Sequence, residues 1–202
     1  GTGGGNTAPT TMWSNGATGK INGSLDFDGT DDYVAIGGDE NDFDFLGDYS
    51  MSFWVNIDSI GDDVQIFVNK RDQSNNDFTT PFQVSIDNRS SQSVTNAFKW
   101  AVGDNGTAAV VATLNDFFTG EFGQWVHVTV VMDGSTMRPY KNGIAQAVTT
   151  YSGTRVANNA DVEIGRYDSS TPDFFLDGQI DEVKIWNYAL SPIDIEREYN
   201  GG

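Results

Sequence analysis

Four aspartates fall within seven positions: Asp26, Asp28, Asp31 and Asp32. They stand in GSLDFDGTDDYVAIGG, Gly23 to Gly38, among Leu25, Phe27, Tyr33, Val34 and Ile36. Carboxylates this close repel one another unless a cation, a proton or solvent offsets the charge. Three readings fit. Calcium is held by about six to eight hard oxygens, drawn from carboxylates, carbonyls and water. A glycosidase sets two carboxylates about 5–10 Å apart across the scissile bond. A solvated turn needs neither, because Asp is a common turn residue. On a strand, Asp26 and Asp28 share one face and Leu25 and Phe27 the other. Gly29 then permits a tight turn and offers a carbonyl, and Asp31 and Asp32 belong to that turn.

Other catalytic arrangements are thinly supplied. Glu163 and Asp168 lie in VEIGRYD, too far apart to be alternate acids on one strand face. Asp181 and Glu182 are adjacent in QIDEV, so on a regular strand they point opposite ways. His127 is the single histidine and lies on a strand face with Trp125 and Thr129. A lyase base there is conceivable, because histidine titrates near neutrality. Arg138, Tyr140 and Lys141 stand near it in sequence, but the Asn142-Gly143 turn interrupts them. There is no cysteine, hence no thiolate site and no disulfide. GTGGGN precedes no strand–helix unit, so it is not a phosphate loop.

Charge narrows the partners. The chain of 202 residues carries a formal charge of −18, with 29 acids against 11 Lys and Arg. Nucleic acid requires clustered cations to displace counterions, and the basic residues are scattered. Of the acids, 23 are Asp, the residue of turns and loop-built calcium sites. No apolar run reaches membrane-spanning length, so membrane insertion is not expected.

Period-two alternation dominates the elements that must hold these residues. In SMSFWVNID, Met51, Phe53, Val55 and Ile57 point one way and Trp54 the other. In QWVHVTVVMD, Val126, Val128, Val130 and Met132 oppose Trp125, His127 and Thr129. FQVSI sets Phe82, Val84 and Ile86 together. Asp133-Gly134 and Asn142-Gly143 mark hairpin turns in a meander from about 124 to 150. Further strands are expected near 33–36, 64–71, 97–103, 108–114, 161–167 and 174–187. In FFLDGQIDEVKIWN the apolar parity changes after Ile180, which means either a strand buried on both faces or, the preferred reading, a bulge near Asp181-Glu182. One helix is predicted, with Ser191 as N-cap, Pro192 at its first position and Gly201 beyond its end. This pattern predicts an all-β chain, a two-sheet antiparallel β-sandwich or jelly roll with one short C-terminal helix. Residues 1–19 read as a linker or extended arm, and 20–202 as the sandwich domain.

Five ordered pieces carry a family likeness: GSLDFDGTDDYV, YSMSFWVNID, GQWVHVTVVMDGSTMRPYKNGI, VEIGRYD and GQIDEVKIWNYALSPIDIEREYNG. From Lys20 to Gly202 the chain resembles the laminin G-like, concanavalin A-like jelly-roll domains of secreted bacterial proteins. The resemblance implies N- and C-terminal strands lying side by side, often with one structural calcium where they meet. The implied ligands are Asp28 and Asp181, with Asp26, Gly29 and Asp31 in reserve. The resemblance also implies binding or adhesion more often than catalysis, at the cell surface or outside the cell. The expected function is a non-catalytic, calcium-supported carbohydrate-binding or adhesion module acting on a glycan or cell-surface ligand. The alternatives are a polysaccharide lyase or glycosidase of the same fold, and a structural or protein-binding domain of an adhesin. Sugars stack on aromatics and hydrogen-bond to Asp, Asn and Arg. The candidate ligand contacts are therefore Trp100, with Asn76, Asp77, Asp104, Arg166, Tyr167 and Asp168 in polar loops. Trp54 and Trp125 are further exposed-face candidates, unless another element covers them. A second calcium beside those loops would help an acidic domain hold a hydroxylated ligand. Oligomeric state is not legible in the sequence.

Overall fold

The computed structural model describes residues 13–14, 19–37, 42–71, 79–105, 108–167 and 174–201. Strands β1 (Trp13–Ser14), β2 (Ser24–Asp28), β3 (Val34–Ile36), β4 (Tyr49–Ile57) and β5 (Val64–Lys70) open the fold. β6 (Phe82–Asp87), β7 (Ala97–Gly103) and β8 (Ala109–Leu114) form an antiparallel meander that continues from β5. β9 (Trp125–Asp133), β10 (Thr136–Lys141), β11 (Ile144–Ala145) and β12 (Thr149–Thr150) follow. β13 (Val162–Ile164), β14 (Asp177–Trp186) and helix α1 (Pro192–Tyr199) complete the chain.

Two antiparallel sheets result. One runs β1-β2-β14-β4-β9-β10-β11, with β12 also paired to β10. The other runs β3-β13-β5-β6-β7-β8. The fold is the all-β sandwich that the alternation predicts. Met51, Phe53 and Val55 of β4 and Val128 of β9 meet Val84 of β6 and Trp100 of β7 between the sheets, all at most 0% exposed. Their β-branched and aromatic side chains suit a pleated surface buried on one face.

β14 lies between β2 and β4, so the N- and C-terminal strands are neighbours. Its register against β4 slips between Asp181 and Lys184, and Glu182 takes a positive φ of 51°. This bulge lets Ile180 before it and Val183 and Ile185 after it pack on the same core. Gly178 has a φ of 147° and lies against β4, where a Cβ would collide with the carbonyl oxygen of Asn56.

The outer faces of the two sheets differ. Helix α1, capped by Ser191, lies on the eight-stranded sheet and buries Ile195 with Val131, Tyr140 and Leu190. Tyr199 stacks on Trp54 at 5.6 Å, and His127 lies 4.9 Å from Trp54. Trp54 is therefore covered, and His127 is buried with it. The six-stranded sheet keeps a groove on its outer face. Among the described residues, no helix is long and apolar enough to cross a membrane.

Candidate functional site

The groove follows from strand alternation. Phe82, Val84 and Ile86 point into the core, so Gln83, Ser85 and Asp87 point out. Phe98, Trp100 and Val102 point in on β7, which turns Lys99 and Ala101 outward beside them. β8 adds Ala109 and Val111, and Arg71 stands just beyond β5. Tyr167 and Phe174 form a wall, their rings 6.2 Å apart and only 18° from parallel. They close a cavity of about 360 Å³.

Asp87 is fully buried at the end of β6. Its Oδ1 accepts from Nε of Arg89 at 3.0 Å and its Oδ2 from an Nη of the same guanidinium at 2.8 Å. Nζ of Lys99 lies 2.6 Å from Oδ2. Burial pushes the Asp87 pKa up, but the bonds from Arg89 and Lys99 outweigh it and hold the carboxyl at about 2. Arg89 is reciprocally raised by Asp87. The groove floor therefore carries a permanent carboxylate under two cations. Farther along, the Arg71 guanidinium lies 4.3 Å from the centre of the Tyr167 ring and donates to Oε1 of Gln83 at 3.3 Å. Thr80 borders the same cavity but is almost fully buried, and its inaccessible hydroxyl has no hydrogen-bond partner. Phe174 holds a positive φ of 60°, which is costly for a bulky side chain and marks a conformation fixed by its surroundings.

Only one of the described ligand contacts expected from sequence lines this groove, namely Tyr167. Trp100 is a correction. It points into the sandwich, 0% exposed, edge-on to Tyr49 at 6.0 Å, because its parity on β7 is that of Phe98 and Val102. Arg166 bonds Glu163 through Nε at 3.0 Å and Nη at 2.6 Å, and its guanidinium lies over Tyr33. Asp104 accepts from the Ala108 backbone in the β7–β8 turn. Asn76, Asp77 and Asp168 lie outside the described residues. Arg71, Gln83, Asp87, Lys99 and Phe174 were not expected as contacts. The outward phase of FQVSID and AFKWAVG was the signal for three of them.

The expected calcium ligands do not converge. Asp28 is level with Asp177 on β14, whereas Ile180 is level with Leu25. Asp181 thus lies at the far end of β2, four residues or about 13 Å from Asp28's level, so one ion cannot join the two. Asp181 instead accepts the Ile21 and Glu182 N–H groups, each at 2.8 Å, and pins the entering chain to the bulge. Asp28 accepts from Thr30 at 2.9 Å and from Asp31 at 3.4 Å, closing the turn through Gly29. Asp26 faces Gln179 across the strands. Burial, then the charges of Asp58, Asp32 and Asp177, raise its pKa despite a bond from Gln179. Among the described residues, no three acidic, histidine or cysteine side chains are placed to hold a metal ion.

His127 is no base in a cleft. Burial first, then the charges of Lys184 and Lys20, push its pKa down to about 4.

Comparison with solved structures finds the same architecture. The receptor-binding domain of botulinum neurotoxin D superposes with a TM-score of 0.72 at 15% identity, over 96% of this chain and 47% of that one. Domain 4 of AbnA, an extracellular arabinanase from Geobacillus stearothermophilus solved with arabinotriose, gives 0.63 at 19% identity, over 96% and 81%. The binding domain of botulinum neurotoxin DC, solved with rat synaptotagmin II, gives 0.60 at 12% identity, over 91% and 41%. The chain spans less than half the length of the botulinum domains it matches. At these identities the likeness is one of fold. No curated protein sequence matches the chain. The sequence profile described as the concanavalin A-like lectin/glucanases superfamily matches residues 28–196. With the two-sheet sandwich, that match places the chain: it belongs to the concanavalin A-like lectin/glucanase superfamily.

Proposed function

We propose that this chain is a non-catalytic carbohydrate-binding or adhesion module of an extracellular protein, and that its ligand lies in the groove on the six-stranded sheet. One observation carries the reading. A rigid sheet left uncovered by the helix presents a row of amide, hydroxyl and charged groups beside two nearly parallel aromatic rings. Sugars are recognised by that combination, with hydroxyls paired to polar side chains and apolar faces set on rings. The arabinanase domain solved with arabinotriose and the toxin receptor-binding domains support a binding role by likeness of fold.

Asp87 weighs against the glycosidase alternative. Among the described residues it is the carboxylate that lines the groove, and its pKa is held down at about 2. A general acid for glycoside cleavage needs a raised pKa and a second carboxylate opposite. The test is a glycan array followed by incubation with each retained polysaccharide. Retention without new reducing ends or unsaturated products is the expected result. Turnover would establish the enzyme, and retention of a protein ligand alone the adhesin reading.

Calcium support is a separate part of the proposal, moved from the Asp28–Asp181 pair to the rim around Asp28 and Asp177. Asp62, Asp63 and Gln65 line the same cavity of about 390 Å³, and Gln65 Oε1 is buried there without a hydrogen-bond partner. Because no three carboxylates converge among the described residues, an ion there would draw much of its shell from carbonyls and water. Calcium is expected to raise Tm by several degrees in the wild type and by much less in Asp177→Asn. An unchanged melt with calcium and with chelator would remove calcium from the account.

A further inference from the structure

A lysine occupies a core position. On β5, Val68 lies level with Val84 of β6 and Lys70 level with Phe82, so Lys70 continues the row of core residues. Its side chain is 1% exposed. Two other side chains meet its Nζ there. Asp44, from the segment before β4, sets Oδ1 at 3.1 Å, and Asn158, from the segment before β13, also sets Oδ1 at 3.1 Å. The backbone carbonyls of Asn158 and Ala160 accept from the same nitrogen at 2.7 and 3.0 Å. The Asp44 side chain is 7% exposed, and its Oδ2 has no hydrogen-bond partner among the described residues.

A buried ion pair would be complete with Asp44 and the two backbone carbonyls. The side-chain amide on the same nitrogen is an addition, and it is held in one orientation. Its Nδ2 donates to the carbonyls of Thr79 at 2.8 Å and Lys70 at 3.3 Å, and its Oδ1 accepts from the Ala160 N–H at 3.1 Å. These bonds fix the amide carbonyl beside Nζ and polarise it. An amine, a base beside it and a carbonyl with a donor on its oxygen are the parts needed for acyl transfer. Their contact supplies the proximity that such a step requires. The low exposure of Lys70 and Asp44 keeps bulk water from competing.

We propose that Lys70 and Asn158 join in an intramolecular amide bond, with Asp44 carrying the protons. Asp44 takes one proton from the Lys70 ammonium, and the freed lone pair on Nζ attacks Cγ of Asn158. The carbonyl electrons shift onto Oδ1, against the Ala160 N–H. Asp44 passes its proton to Nδ2 and takes a second from Nζ. The Cγ–Nδ2 bond breaks as the carbonyl re-forms, and ammonia leaves with the last proton as ammonium. One C–N bond forms, one breaks, Asp44 is regenerated and nothing is oxidised or reduced. The ion pair in the structure is the reactant state. The new bond joins positions 88 residues apart and ties β5 to the segment entering β13, its neighbour in the sheet. A chain without cysteine thereby gains a covalent staple that restricts the unfolded state as a disulfide would. This inference is independent of where a ligand binds.

The test is intact-mass spectrometry of the denatured wild type, taken after overnight incubation of the folded protein, beside Lys70→Arg and Asp44→Asn. The wild type is expected to fall short of its sequence mass by one ammonia. Its tryptic digest should contain residues 21–71 joined to residues 156–166, because an acylated Lys70 is not cleaved. Lys70→Arg and Asp44→Asn should keep their full masses. An Asn-Gly pair such as Asn142-Gly143 can also lose ammonia, by closing to a succinimide. That ring is cleaved by hydroxylamine and gives no branched peptide, whereas the Lys70–Asn158 amide resists hydroxylamine. Full mass in the wild type, a deficit that survives in Lys70→Arg, or a deficit removed by hydroxylamine overturns the proposal. Where a variant does not fold, the wild-type digest decides alone: the branched peptide establishes the cross-link, and unbranched peptides ending at Lys70 and spanning 156–166 refute it.

Discussion

His127 shows how a single residue can look catalytic in sequence and be structural in the fold. It lies beside Trp54 and Tyr199 with its Nδ1 unpartnered, and its pKa falls from 6.5 to about 4. The unfolded chain takes up a proton near 6.5 that the folded chain refuses until about 4. Its contribution is complete above pH 6.5 and is lost as pH falls toward 4, amounting to roughly 3 kcal/mol. Urea titrations across that interval should show stability falling in the wild type and nearly level in His127→Phe. A slope unchanged by the substitution would contradict the assignment. Lys70 makes the complementary case. Its ammonium is buried, donates to the carbonyls of Asn158 and Ala160 at 2.7 and 3.0 Å, and pairs with Asp44 at 3.1 Å. Lys70→Met leaves the Asp44 carboxylate without its cation and those carbonyls without their donor, and a loss of about 3–5 kcal/mol in chemical denaturation is expected. Neither environment was legible in sequence, because each is built by segments far apart in the chain. Trp100 was misread for another reason. Its strand was recognised, but its parity with Phe98 and Val102 was not applied to it.

At the scale of elements the sequence was far more informative. Alternation located β4, β6 and β9 and chose their buried faces correctly. Asn142-Gly143 marked a turn, and both residues take positive φ. Ser191, Pro192 and Asp194 marked the helix start. The parity change in QIDEV located the bulge. What alternation could not provide was register between distant strands. Asp28 and Asp181 lie on neighbouring strands as the resemblance implies, yet four residues out of step. That offset, invisible in either segment alone, separates the proposed ligands. Register against β4 is fixed on one side of the bulge by the close approach at Gly178. Gly178→Ala should cost about 2–4 kcal/mol, since the new methyl meets backbone that cannot yield without shifting the strand. A melt within a degree of wild type would show that β14 has more room than this geometry allows.

The whole molecule divides its labour between two faces. The eight-stranded sheet is sealed by α1 over Trp54 and His127. The six-stranded sheet turns Gln83, Ser85, Asp87 and Lys99 outward along the groove. Family membership was legible from five ordered motifs, because those motifs build the sandwich. The groove was not, because most of its lining sits at outward positions of the least family-like stretch, between Lys70 and Asp116. On the proposed function, asymmetry of this kind favours the open sheet over the rim acids that first draw the eye. Ala101 faces that groove from the middle of β7, and Ala101→Trp would fill it without entering the core. The decisive measurement is the affinity of Ala101→Trp, beside wild type, for whichever glycan the wild type retains. A folded variant with affinity reduced at least about tenfold is the expected result. A folded variant that binds as tightly as wild type would place the ligand elsewhere and contradict the account.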